Sequence, residues 1–182
     1  MQVGVYCSSN RPHLWGDLIK TLSQNSVDWN LCIAGPLPPI DPLPGNVKYI
    51  QTNVKPAQCF FIAEQNTTGD YVMQITDDIT LSNRCLDNLI GAVYNKNIIV
   101  SSKYLLGSQH VFRYRLHGKN RNIALGFPMP TVAIMYREKF ESIGIDKNYI
   151  GLWWDQDVAF ELVSKGCKII INENSTSCDK KG

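Results

Sequence analysis

Apolar residues come in short continuous runs that alternate with stretches where they recur every three or four positions. Residues 3–7 form a compact apolar run and predict a strand. Pro12 suits the first position of a helix. Leu14, Leu18, Ile19 and Leu22 follow at helical spacing, so a helix is expected over 12–24. A second strand is expected over 29–34. Residues 35–45 hold five prolines and two glycines and read as loop. Val47–Gln51 predicts a third strand, and residues 55–67 a helix that Gly69 is placed to close. Residues 71–75 form a strand that runs straight into Asp77-Asp78. Ser82 is an expected N-cap for a helix whose apolar stripe is Leu86, Leu89, Ile90 and Val93.

Beyond that helix, strands are expected over 98–100 and 131–136, with little periodicity over 102–127. A short helix over 138–142 and a longer one over 154–165, closed by Gly166, precede a last strand over 167–171. The polar tail from Asn172 is expected to fray. Strand–helix alternation over 1–100 predicts an α/β fold with a largely parallel sheet. No repeat or linker divides the chain, so residues 1–182 are expected to form a single domain.

Composition narrows the function classes. The 182 residues are 44% hydrophobic and 19% charged, which fits a globular protein and not a disordered one. Lys+Arg is 18 and Asp+Glu is 16, a net of +2, so charge gives no argument for a nucleic-acid or acidic-membrane partner. No apolar run reaches the roughly 18–20 residues of a membrane span. The first six residues lack a basic region followed by an apolar one and read as a strand, not a signal peptide. Six cysteines fall singly, with no C-x-x-C pair, so a reducing cytoplasm is the expected setting.

Three segments carry candidate chemistry. Asp77 and Asp78 directly follow a strand, and ligands of open parallel sheets bind beyond the carboxyl ends of strands. Adjacent carboxylates repel, and a divalent cation bound by hard oxygen is a natural partner; a capped turn is the structural alternative. Trp153, Trp154, Asp155 and Asp157 cluster at the start of a helix. Positions i and i+2 of a helix point to nearly opposite sides, so Asp155 and Asp157 do not share one pocket. Ser8, Ser9, Asn10 and Arg11 lie between the first strand and the first helix, where backbone N–H groups favour anions. No G-x-G-x-x-G, P-loop, H-E-x-x-H or G-x-S-x-G pattern is present.

In this order the segments resemble the nucleotide-sugar glycosyltransferases of the GT-A fold, closest in pattern to family 2. The resemblance rests on Ser8-Ser9-Asn10-Arg11-Pro12, on Gly69-Asp70-Tyr71-Val72 through Thr76-Asp77-Asp78, and on Arg137-Glu138-Lys139-Phe140 before Ile143-Gly144. It also rests on Trp154-Asp155-Gln156-Asp157 followed by Gly166. It implies a Rossmann-like, mostly parallel sheet flanked by helices. It further implies transfer of a sugar from a nucleoside diphosphate sugar to a glycan or other hydroxyl acceptor. By resemblance, Asp78 is the ligand of Mn²⁺ or Mg²⁺, and Ser8, Ser9, Asn10, Arg11, Thr76 and Asp77 bind the donor. Asp155 is the base of an inverting reaction, and Trp153 and Trp154 offer faces to the acceptor.

The chain departs from the family pattern at several positions. Thr76 replaces the first acid of the D-x-D pattern and Trp154 the acid before Asp155. The second strand ends in Ala34-Gly35 instead of an acid, and no histidine follows Asn172. These differences leave two alternatives. One is a binding domain of the same fold that has lost turnover. The other is a nucleotidyltransferase on a related sheet, though the chain lacks that class's glycine-rich phosphate loop.

Overall fold

The computed structural model describes residues 1–106, 109–110, 132–143, 148 and 154–179. Along the chain run β1 (Gln2–Ser8), a 3₁₀ turn (Pro12–Leu14), α1 (Trp15–Leu22), β2 (Asp28–Gly35), β3 (Val47–Gln51) and α2 (Pro56–Glu64). Next come β4 (Tyr71–Thr76), β5 (Ile79–Leu81), α3 (Cys85–Gly91), β6 (Ile98–Leu106) and β7 (Gln109–His110). The last described elements are β8 (Ala133–Tyr136), α4 (Arg137–Glu141), α5 (Trp154–Ser164) and β9 (Lys168–Asp179). Among the described residues, nine strands form one sheet in the order β3-β2-β1-β4-β8-β6-β9-β5, with β7 paired to β6.

The β3-β2-β1-β4 half is parallel throughout, as the alternation over 1–100 implies. The other half is mixed: β8 runs antiparallel to β4 and β6, β9 parallel to β6, and β5 antiparallel to β9. Alternate side chains of a strand point to opposite faces, and each face has its own core. Val3, Val5 and Cys7 pack with Trp15, Leu18 and Leu22 of α1 and with Leu86 and Leu89 of α3. Tyr6 and Val72 pack on the other face with Ala57 and Phe60 of α2, Phe140 of α4 and Leu162 of α5.

The β1–β4 pair positions the site. The chain leaves β1 towards β2 and β3, then returns to β4 on the other side of β1. Such a reversal opens a crevice at the carboxyl ends of the two strands. The register sets Ser8 opposite both Ala34 and Thr76, so the Ser8–Arg11 turn, the end of β2 and the Asp77-Asp78 turn share one edge.

Three expectations are corrected. The tail after Asn172 does not fray, because β9 continues to Asp179 and pairs with both β6 and β5. Ser82 is not the N-cap of α3. That position belongs to Arg84, at φ 56, while Ser82 Oγ accepts the Thr176 amide at 3.0 Å. Gly69 does not close α2, which ends at Glu64 with Gln65 as its cap. It sits at φ 120 in the turn into β4, where a Cβ would stand 2.4 Å from the Gln2 carbonyl oxygen. No helix among the described residues is long and apolar enough to cross a membrane.

Candidate functional site

Asp77 and Asp78 form the turn between β4 and β5, and both are buried, 3% and 6% exposed. Burial of an ionised carboxylate is costly unless it is paired and hydrogen-bonded, and here each one is. Arg11 Nε donates to Asp77 Oδ2 at 3.2 Å, and Arg11 Nη2 donates to Asp77 Oδ1. The same Nη2 donates to Asp78 Oδ2 at 2.8 Å. Thr76 Oγ1 donates to Asp78 Oδ1 at 2.7 Å. Hydrogen bonding to Asp77 raises the Arg11 pKa further above its already high value, against the opposing effect of burial.

Ser9 holds Asp77 from the other side. Its hydroxyl donates to Asp77 Oδ2 at 2.5 Å. It accepts from Trp15 Nε1 at 2.7 Å and from the Arg11 amide at 3.1 Å. One donor and two acceptor positions are thereby all used, and Ser9 is buried. Its hydroxyl therefore acts inside the fold, fixing Asp77 and the turn. Trp15 escapes a reading based on aliphatic periodicity. A buried indole needs an acceptor for its N–H, and its place in the helix six residues after Ser9 is the available signal.

Ser8, Asn10 and Arg11 line a cleft of about 530 Å³ together with Val54, Cys59 and Asp77. Asn10 is exposed at its mouth. The sequence reasoning also missed Tyr104 and Asp179. The Tyr104 hydroxyl donates to Asp179 Oδ2 at 2.8 Å, and Asp179 pairs with Ile79, the residue after Asp78. Burial and then the Asp179 hydrogen bond push the Tyr104 pKa up, with the Asp78 charge adding to it. No signal in a polar tail points to this return.

Of the Trp153–Asp157 segment, Trp154 and Asp155 open α5. Their side chains lie outside the described residues, as does all of Trp153. Ser8, Ser9, Asn10, Arg11, Thr76, Asp77 and Asp78 are brought together at one sheet edge.

The acids also fit a divalent cation. Two carboxylates converge on one cationic nitrogen, and hard oxygens so arranged could hold a metal ion in its place. Among the described residues no group of three or more His, Cys, Asp or Glu side chains gathers as a metal site. An ion here would draw its remaining ligands from a substrate's phosphates and from water, as Mg²⁺ commonly does.

No family model matches the chain, and no curated protein matches it. Solved structures do. S. aureus TarS 1–349 is 11% identical, with a TM-score of 0.74 over 98% of this chain and 60% of that one. The same TarS fragment in complex with UDP gives 11% and 0.73, with the same coverage. The mannosyltransferase PcManGT from Pyrobaculum calidifontis, in complex with GDP-Man and Mn²⁺, is 15% identical, with a TM-score of 0.70 over 99% of this chain and 58% of that one. The chain thus spans about 60% of the length of these proteins. At such identities the likeness is one of fold, and the chain has the GT-A fold that its motifs resemble.

Proposed function

We propose that this chain transfers a sugar from a nucleoside diphosphate sugar to an acceptor hydroxyl. The observation that carries the reading is the buried Asp77-Asp78 pair beside the Ser8–Arg11 turn, at the switch point of the sheet. The GT-A fold, and the nucleotides in the complexes of TarS and PcManGT, support it.

Ser8, Asn10 and Arg11 line the nucleotide's cleft, Ser9 holds Asp77, and Asp77 and Thr76 border the sugar and diphosphate. Asp78 would hold Mn²⁺ or Mg²⁺, which supplies positive charge against the leaving diphosphate. Asp155 takes the proton of the acceptor hydroxyl as its oxygen bonds to the anomeric carbon and the bond to diphosphate breaks, with inversion. A positioned base of this kind contributes on the order of 10²–10⁴ in rate. Trp153 and Trp154 offer flat apolar faces to the acceptor.

The test is calorimetry with UDP- and GDP-sugars, with Mn²⁺ and with EDTA. A sugar nucleotide is expected to bind at least tenfold more tightly with Mn²⁺, and Asp78→Asn to abolish the difference. Equal affinity in EDTA would remove the cation from the site. Thr76, a neutral donor to Asp78 where the family pattern has an acid, favours a second reading, a binding domain without turnover. Slow hydrolysis of the bound sugar nucleotide is expected of the enzyme and is absent from a pure binder.

A further inference from the structure

The acids of this site already have a cation. Like charges at adjacent buried positions raise each other's energy, and the chain meets that cost with Arg11. The fork of its guanidinium spans both carboxylates, touching Asp77 through two nitrogens and Asp78 through one. The partners differ in freedom. The Asp77 and Asp78 side chains are 2% and 8% exposed, whereas the Arg11 side chain is 30% exposed and lines the cleft. Ser9 and Thr76 tether the acids independently of Arg11. The Arg11 backbone is fixed as well, its amide on Ser9 Oγ and its carbonyl accepting the Leu14 amide at 3.0 Å. The guanidinium end is thus the exposed part of an otherwise tethered group.

We infer that Arg11 is a displaceable counter-cation, occupying the seat a divalent ion takes on Asp78 and yielding it when ion and donor diphosphate arrive together. This rests on the proposed diphosphate-sugar site. Asp78 Oδ2 cannot hold the guanidinium and a metal ion at once. An ion arriving alone must break charge-assisted hydrogen bonds, which are about twice as strong as neutral ones. A donor arriving with it brings phosphate oxygens, and a guanidinium fork matches these as well as it matches carboxylate. The released Arg11 thus has a new partner only when donor is present. Ion and donor affinities are then coupled, and such coupling is reciprocal, typically 5–150-fold. The device keeps both acids paired with a cation in the empty protein and disfavours filling the seat with metal in the absence of substrate.

The experiment is titration of Mn²⁺ into the protein without nucleotide, followed by the electron paramagnetic resonance signal of free Mn²⁺, then repeated with UDP and with GDP. Wild type is expected to bind Mn²⁺ weakly alone. Arg11→Gln, which keeps a hydrogen-bond donor but no charge, is expected to bind Mn²⁺ alone at least tenfold more tightly and to hold the nucleotides less well. Arg11→Lys keeps the charge and protects the fold if the glutamine variant fails. It loses the fork, so Mn²⁺ binding alone is again expected to tighten. Variants that bind Mn²⁺ no more tightly than wild type overturn the displacement, while Mn²⁺-dependent nucleotide binding by wild type keeps the site's assignment. No Mn²⁺ uptake by any of the proteins, with or without nucleotide, removes the cation seat and the displacement with it.

Discussion

The carbonyl oxygen of Ser9 lies 1.7 Å from where a Cβ on Gly35 would begin. The Ser9 amide donates to the Ala34 carbonyl at 3.0 Å, so the turn after β1 lies directly over the end of β2. Tyr49 Oη and the Thr52 amide donate to the Gly35 carbonyl at 2.8 and 2.9 Å and fix it from the far side. Hydrogen bonds hold both backbones at this contact. The glycine at the end of the second strand is therefore a packing requirement of the Ser8–Arg11 turn. An acid at this position would push the turn off the strand.

Gly35→Ala is expected to lower stability by about 1–3 kcal/mol or more, the usual cost of overpacking. Urea unfolding measures it, and an unshifted midpoint would show that the turn has slack. Because Ser9 carries Asp77, the same variant is expected to weaken nucleotide binding more than a surface substitution of equal stability cost.

Asp87 gives a stability term with a defined pH range. Burial pushes its carboxyl up, but the Ser26 amide, Arg84 and the Val27 amide outweigh this and hold it below its ordinary value. The amides donate at 2.9–3.1 Å and tie the turn before β2 to α3. A carboxyl whose pKa is lower folded than unfolded stabilises fully above the unfolded value and loses that contribution as pH falls through the folded one. Asp87→Ala is expected to lose about 1.5–3 kcal/mol at neutral pH, the scale of hydrogen bonds to a charged group. The gap between variant and wild type should narrow only below about pH 4. A gap that stays constant down to pH 2 would assign the loss to packing.

Legibility in the sequence followed the source of each element's stability. β1, β2 and β4 bury alternating apolar side chains between helices and are plain in the hydrophobic pattern. The Asp77-Asp78 turn and the Ser8–Arg11 turn were legible because both directly follow such strands. β5 has three residues, too few to show a period. The last part of β9 is held by backbone pairing and by buried hydroxyls of Ser175 and Ser177, not by apolar contacts. Its composition looks like a loop for that reason. Arg84 takes over the start of α3 in a left-handed conformation that arginine seldom adopts, while Ser82 turns to β9. Thus tertiary pairing, not local preference, decided the N-cap.

The hydroxyls that hold β9 can be tested as a pair. Ser102 Oγ and Ser177 Oγ lie 2.6 Å apart with both residues fully buried. Removing one hydroxyl leaves the other without that partner in the interior, which costs about 1–3 kcal/mol. Ser102→Ala and Ser177→Ala are each expected to show such a loss. The double variant should lose clearly less than the two together, a non-additivity of 0.5 kcal/mol or more, as contacting residues commonly show. Strict additivity in a double-mutant cycle would mean that the two hydroxyls do not depend on each other.

Asp155 carries the chemical half of the proposal, and its neighbour supplies the control. Both Asp155 and Asp157 fall in the opening turns of α5, two positions apart, a spacing at which two residues of a helix are not expected to share one pocket. Asp155→Asn removes the base while keeping size and polarity. It is expected to leave sugar-nucleotide affinity within about twofold and to lower turnover by about 10²-fold or more, the range assigned to a positioned base. Equal losses in kcat and kcat/KM would place the lost interaction in the transition state alone. Asp157→Asn is expected to change stability and not turnover. Steady-state kinetics with saturating donor, beside calorimetry of donor binding, separates the two. Full turnover in Asp155→Asn would take the base role away from this residue, and a collapse in Asp157→Asn instead would move it two positions along the helix.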